Sequence, residues 1–167
     1  MKHHEWHLDF KALTLLLFSA SCVSVKIATN DGHKQSELSF QAPASPFESI
    51  SLDNADKAWQ NKKTGSTLSY LSQCKDNADP SLESLRDTTL RGLDSVEILK
   101  DEKMSYNGRE AVKTQVKGKL DGVSVLVRLL IFKKNFCRYT ISMVGVESHV
   151  DSDVQIFETF LGKFEAP

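Results

Sequence analysis

The chain has 167 residues, a formal net charge of -1, 26% charged residues and 40% hydrophobic residues. This length suits one domain with one substantial core. Charges of both signs are mixed along the chain, with neither the basic footprint typical of nucleic-acid binding nor a polyacidic tail.

The first 21 residues are expected to be a cleaved export signal. A run of ten apolar and small residues, Ala12 to Ser21, follows two lysines. The run is shorter than the roughly 20 residues that a transmembrane helix needs, so it is typical of a signal peptide. His3, His4 and His7 precede the expected cut and are therefore not interpreted as a metal site.

Cys22 directly follows small residues and resembles the acylated cysteine of a bacterial lipobox. Lipidation would make it the first mature residue and would leave an even pair, Cys74 and Cys137, for an oxidising compartment. Such boxes usually carry Leu where this chain has Ser19. Cleavage after Ser21 by an ordinary signal peptidase, giving a soluble periplasmic protein, is therefore an alternative, as is a cytosolic chain, because two acidic residues make the leader less basic than usual.

Residues 22–37 are predicted to be a flexible tether and residues 38–167 to form a single domain. The tether is polar and lacks an apolar period, and its r.m.s. reach is roughly 20 Å. Val23, rather than Asp, after Cys22 resembles outer-membrane sorting in some bacteria. The expected location is therefore the periplasmic face of a membrane, with the outer membrane favoured.

Short strands begin the domain. Trp59 lies on one run, Lys62 to Gly65 supplies a turn, and Thr67 to Cys74 alternates apolar and polar side chains, which predicts a hairpin. A helix is expected next, with Asp79-Pro80 as its cap and first position and with Gly92 at its end.

A meander of four strands is predicted after this helix. Asn107-Gly108 and Asp121-Gly122 are typical of tight hairpin turns, and Lys133 to Asn135 is expected to make a third turn. Val123 to Phe132 is apolar on both faces, as in a central strand covered on both sides. With a closing helix from Asp151 to Phe164, the prediction is an α+β fold, an α/β/α sandwich with helices on both faces of a mainly antiparallel sheet.

The order of several short motifs resembles a known family. These are Trp59, Cys74 with Asp79-Pro80, Asn107 to Ala111, Lys119 to Val123, Lys133-Lys134 with Cys137, and Phe157 to Phe164. Over about residues 38–165, they resemble uncharacterised bacterial envelope lipoproteins of the PsbP/Mog1-like fold. The resemblance implies an α/β/α sandwich. PsbP-like proteins are extrinsic subunits of photosystem II and Mog1-like proteins bind a small GTPase, but no residue here carries over to either interface.

Cys74 and Cys137 are predicted to form a structural disulfide. Each lies on the apolar face of a predicted strand in an exported domain. Closing a loop of this length would contribute about 4 kcal/mol by the chain-entropy model. Two buried thiols or a redox site are the alternatives, although no C-x-x-C spacing supports redox chemistry.

Arg109 and Arg128 are candidate ligand-binding residues. Arg109 follows the Asn107-Gly108 turn, which a hairpin requires in any case. Arg128 lies in an otherwise apolar strand, where its guanidinium needs a carboxylate or solvent at its tip. A paired structural residue is the alternative to ligand capture.

Four residues before the last helix are weighed as a cation site: Glu147, His149, Asp151 and Asp153. Acidic residues are also favoured at a helix N-terminus. Helix capping is therefore the preferred interpretation, and no metal or cofactor is predicted.

No enzyme motif stands out. The chain lacks Gly-x-Ser-x-Gly, a phosphate-binding glycine loop and His-Glu-x-x-His, and only His33 and His149 follow the leader. The sequence predicts a membrane-tethered, non-catalytic binding or accessory domain of the envelope, with a protein partner and no nucleic acid. A periplasmic carrier of a small ligand or lipid, using a cleft between helix and sheet, is the alternative, and a hydrolase or redox enzyme ranks last.

Overall fold

A computed structural model describes residues 38–74 and 79–167. The expected signal peptide, Cys22 and the expected tether lie outside the described residues. Within the described ranges, no helix is long and apolar enough to cross a membrane.

The described residues form seven strands and three α-helices. The strands are β1 (Phe47–Ile50), β2 (Lys57–Asn61), β3 (Thr67–Cys74), β4 (Asp94–Tyr106), β5 (Arg109–Leu120), β6 (Val123–Lys134) and β7 (Cys137–Val146). The helices are α1 (Leu82–Thr89), α2 (Glu147–Val150) and α3 (Val154–Lys163), with 3-10 turns at Leu90–Gly92 and Asp151–Asp153. All strands join one antiparallel sheet in the order β1-β2-β3-β7-β6-β5-β4.

The two predicted glycine turns are present. Asn107 and Gly108 have φ angles of 51° and 73°, and Asp121 and Gly122 have φ angles of 50° and 81°. Successive positive φ angles are the geometry of a two-residue hairpin turn, which Asn-Gly and Asp-Gly tolerate. The meander of β4 to β7 follows from these turns.

The third predicted turn, at Lys133 to Asn135, is wrong in its position. Lys133 and Lys134 remain in β6 and pair with Arg138 and Cys137 of β7. The turn is Asn135-Phe136, with φ angles of 50° and 62°. The pairing of β6 with β7 therefore continues through both lysines before the chain reverses.

β6 separates two apolar layers, as the doubly apolar pattern predicted. Val127, Leu129 and Ile131 face α1 and its neighbouring 3-10 turn. The alternate residues face the other side of the sheet. Leu126, Leu130 and Phe132 pack there in a larger cluster with Phe157, Phe160, Leu161 and Phe164 from α3 and the segment after it. Helices thus lie on both faces of the sheet.

α1 begins later than predicted. Its cap is Ser81, whose side chain accepts a hydrogen bond from the Ser84 backbone N–H, so the predicted capping role of Asp79 is wrong. The Asp79 carboxylate instead accepts a hydrogen bond from Lys133 Nζ at 2.6 Å. A serine hydroxyl satisfies the same free N–H group that an aspartate would.

The closing helix begins earlier than predicted, because α2 and a 3-10 turn precede α3. Tyr106 of β4 fixes the other end of α3, since its hydroxyl donates to the Leu161 carbonyl at 2.6 Å. Burial raises the pKa of Tyr106, which keeps this hydroxyl a donor. The sheet edge and the end of the helix are joined at this point.

The predicted Cys74–Cys137 disulfide is present. The two cysteines are directly opposite each other on β3 and β7, with their Cα atoms 4.1 Å apart. The bond therefore joins neighbouring strands at the end of the sheet that carries the Asn135-Phe136 turn.

Substitutions at two glycines test the packing of β7 against α2. An alanine Cβ at Gly145 would lie 2.7 Å from Ser66 Oγ and 3.0 Å from Val150 Cβ. We expect Gly145→Ala to lower the free energy of unfolding by about 2 kcal/mol through overpacking. In Gly162→Ala, the new Cβ meets nothing within 4 Å. Because Gly162 lies in the last turn of α3, where alanine is at least as favourable as glycine, this control should leave stability unchanged or raise it by less than about 1 kcal/mol.

Urea unfolding of both variants measures the two effects. Equal stability of Gly145→Ala and the wild type would contradict the close packing of β7 against α2.

Candidate functional site

α1 covers only part of one face of the sheet. Leu82 packs on Val112 and Ile131, and Leu90 belongs to the cluster of β5 and β6 valines on the same face. The helix therefore lies over β5 and β6. Beside it, the exposed face of β3 and β7 and the flank of α1 enclose a groove of about 710 Å³.

The floor of this groove, here called the β3–β7 groove, is rich in hydroxyl groups. Ser69 and Ser142 face each other across the two strands, with their Oγ atoms 2.9 Å apart. A hydroxyl can both donate and accept, so the floor offers either role to a bound molecule. The floor residues are Thr67, Ser69, Leu71 and Gln73 of β3, paired with Val144, Ser142, Thr140 and Arg138 of β7.

The β3–β7 groove has one apolar and one polar end. Val127, Val144 and Leu90 come together at the first end, where Leu93 also packs. Gln73 and Arg138 form the second end. The two ends are six residues apart along β3, from Thr67 to Gln73, so the groove is roughly 20 Å long.

Acid–base groups are scarce in the groove. Arg138 is the only ionisable side chain among the described residues that line it. The lining offers mainly hydroxyls, amides and apolar surface. Such a lining can hold an elongated molecule by hydrogen bonds and apolar contact, which is typical of a binding site.

The structure does not bring the two candidate arginines together, and neither lines the groove. Arg109 is exposed beside the Asn107-Gly108 turn. Arg128 pairs with Gln115, six residues further along β5, which places the two backbones roughly 20 Å apart.

Arg128 has the carboxylate that its position requires. Its Nη2 donates to Asp151 Oδ1 at 2.8 Å, and the arginine side chain is largely buried. Arg128 lies on the same face of β6 as Leu126 and Leu130, which pack with α3. It borders a notch of about 150 Å³. The notch also contains the Lys113–Glu158 ion pair, in which nitrogen and oxygen are 2.7 Å apart, so opposite charges offset each other there.

Three of the four residues weighed as a cation site, Glu147, Asp151 and Asp153, have separate partners. Asp151 binds Arg128, and Glu147 Oε1 lies 2.7 Å from Lys117 Nζ. Asp153 is buried and accepts from Asn61 Nδ2 at 2.8 Å and from Thr64 Oγ1 at 2.6 Å. In the described part of the chain, no group of three or more His, Cys, Asp or Glu residues could hold a metal ion.

The capping interpretation of these residues holds only in part. Glu147 lies in the first turn of α2, and Asp151 and Asp153 lie in the 3-10 turn that follows, but neither α2, α3 nor that 3-10 turn has a side-chain capping hydrogen bond. The carboxylates serve long-range contacts, and Asp153 ties this turn to the β2–β3 connection.

The groove was anticipated as a cleft between helix and sheet, but its residues were not identified. The alternation of Thr67, Ser69, Thr140 and Ser142 opposite core residues was the available signal. On a strand whose other face is buried, regularly spaced hydroxyls indicate a second face that no apolar layer covers.

Comparisons with known proteins support the fold. No family model matches the chain, and no curated protein matches it. Among solved structures, LpqN, involved in cell envelope biogenesis of Mycobacterium tuberculosis, matches with 8% identity, a TM-score of 0.57, and coverage of 82% of this chain and 88% of LpqN. Cyanobacterial PsbP (CyanoP) from Synechocystis sp. PCC 6803 matches with 11% identity, a TM-score of 0.53, and coverage of 77% and 85%.

The fold is thus α+β and PsbP/Mog1-like, as expected. At these identities the likeness concerns the fold alone.

Asp153 allows the structural and the metal interpretation to be separated. We expect Asp153→Ala to lower the free energy of unfolding by about 2 kcal/mol, because the buried Asn61 amide and the Thr64 hydroxyl lose their acceptor. Glu147→Ala, which removes a partly exposed ion pair, should change it by less than about 1 kcal/mol.

Calcium or magnesium ions should leave the melting temperature of the wild-type protein unchanged. A rise in melting temperature on adding either ion, lost in both variants, would show that these residues bind a cation.

Proposed function

We propose that this chain is a non-catalytic binding domain of the bacterial envelope, held at the membrane by a lipid on Cys22, with the β3–β7 groove as its binding site. The observation that carries the proposal is the groove itself, which combines hydroxyls and amides with an apolar end and has no carboxylate, imidazole or thiol among its described lining residues. A surface of this kind recognises a molecule without transforming it.

The envelope location has independent support. The residues before Cys22 are typical of an export signal. The Cys74–Cys137 disulfide suits an oxidising compartment. LpqN, which has the same fold, is involved in cell envelope biogenesis. A soluble periplasmic form, cleaved without lipidation, is the alternative location.

An accessory role beside an envelope protein is the first form of this function. The groove, roughly 20 Å long, could take an extended segment of a partner, because its hydroxyls offer donors and acceptors to a peptide backbone.

A carrier of amphiphilic molecules is the second form, favoured by the separation of polar and apolar ends. Valines and leucines at one end suit a hydrocarbon chain, and the amide of Gln73 at the other end suits a polar headgroup.

The location is tested by the intact mass of the protein purified from membranes, with and without reduction and thiol alkylation. We expect an acylated chain that begins at Cys22 and has two thiols that react only after reduction. An uncleaved chain with three reactive thiols would contradict both the anchor and the oxidising compartment.

The groove is tested by filling it. We expect Ser142→Trp to weaken binding of the fluorescent amphiphile dansyl-aminoundecanoic acid by about tenfold, equivalent to 1.4 kcal/mol, because the indole occupies the centre of the floor. Ser124→Trp, at an exposed position of β6 outside the groove, is the matched control and should bind as the wild type does.

Native mass spectrometry of the protein purified from the envelope tests for a naturally bound molecule. A co-purifying amphiphile favours the carrier form. Equal probe affinity of the two tryptophan variants would show that the groove is not where amphiphiles bind.

A further inference from the structure

The Asn135-Phe136 turn places an aromatic ring in solvent. Phe136 is 98% exposed, whereas Phe132, Phe157, Phe160 and Phe164 are fully buried. The residue also has a φ angle of 62°, in a region that bulky side chains rarely adopt and that glycine normally fills in such turns. Neither core packing nor turn geometry explains a phenylalanine at this position.

The turn is held firmly from both sides. Lys134 Nζ donates to the Ala166 carbonyl and Asn135 Nδ2 to an oxygen of Pro167, both at 2.7 Å. Cys137, directly after the ring, is bonded to Cys74. The structure therefore presents the ring on a braced tip.

The chain enters the domain at the same end. Ser39 and Glu165 form an antiparallel bridge with two backbone hydrogen bonds of 2.9 and 2.7 Å. Because the bridge is antiparallel, Leu38 lies beside Ala166, whose carbonyl holds the tip. If residues 22–37 form the tether that the sequence predicts, with an r.m.s. reach of roughly 20 Å, a lipid on Cys22 would keep this end close to the bilayer.

We propose that the Asn135-Phe136 tip is a membrane-contacting element: with Cys22 anchored, Phe136 inserts into the interfacial region of the lipid bilayer and orients the domain. The inference rests on the lipid anchor of the proposed function. An exposed phenylalanine ring is stabilised when it moves from water to the boundary between headgroups and acyl chains. One ring binds weakly, but the anchor makes its insertion an intramolecular step with a high effective concentration.

Charges of both signs lie around the tip. Lys133 Nζ contacts Asp79 and Lys134 Nζ contacts the Ala166 carbonyl, and Arg109, Glu110 and Arg138 lie at the same end of the sheet. The proposed contact therefore rests on the ring and the anchor rather than on charge.

The test uses Phe136→Trp in the acylated full-length protein, purified from membranes and reconstituted in vesicles of phosphatidylethanolamine and phosphatidylglycerol. Trp59, which is buried, is the other tryptophan after the leader. We expect the emission of the new tryptophan to shift to shorter wavelength and to be quenched by lipids brominated close to the headgroup.

Val123→Trp is the matched control. Val123 is 50% exposed and follows the Asp121-Gly122 turn at the opposite end of the sheet, so its tryptophan should stay unquenched. Quenching of the first variant alone supports the proposal. An acylated chain with both tryptophans unquenched overturns the membrane contact and leaves the anchor standing, whereas a chain without acyl groups overturns the anchor and the contact that depends on it.

Phe136→Gly separates this role from a role in folding. Glycine fits the positive φ angle without strain, and the ring makes no buried contact, so the melting temperature should stay the same or rise. A clear fall in the melting temperature would show that Phe136 serves the fold, which would overturn the proposal.

Discussion

The burial of β6 on both faces is the constraint on which the rest of the structure depends. Each face of this strand needs an apolar cover, and α1 and α3 supply one each. A helix is about 10 Å wide and strands lie about 4.8 Å apart, so the short α1 covers two strands. By lying over β5 and β6, it leaves the same face of β3 and β7 open. The β3–β7 groove is thus a consequence of covering the central strand with one short helix.

Elements that depend on the residue types within a short segment could be predicted from the sequence. Asn107-Gly108 and Asp121-Gly122 carry turn geometry in their own residue types, and the doubly apolar pattern of β6 identifies a central strand without knowledge of its neighbours. The Asn135-Phe136 turn could not be found in this way, because phenylalanine is not a turn residue. Ser81 was missed as a cap because Asp79-Pro80 offered an equally plausible start two residues earlier.

The site depends on contacts that are distant in sequence, which is why only its general place could be anticipated. Ser69 and Ser142 meet because β3 and β7 pair across most of the domain, and strand pairing between such distant segments is not encoded in either strand alone. The same holds for Asp153, whose partners Asn61 and Thr64 lie in a different connection. Its neighbours Glu147 and Asp151 looked like a cluster in sequence, yet each carboxylate has its own cation.

The two proposals agree in their geometry. Gln73 and Arg138, at the polar end of the β3–β7 groove, are next to Cys74 and Cys137 in the chain. Phe136 immediately precedes Cys137. A bilayer under the tip therefore lies nearest the polar end of the groove, and the apolar end points away from it. An amphiphile in this groove would place its hydrocarbon chain at the valines and leucines, away from the bilayer, and its headgroup beside Gln73, nearest the membrane surface. The order of polar and apolar residues along the strands thus sets the direction in which such a molecule lies relative to the bilayer.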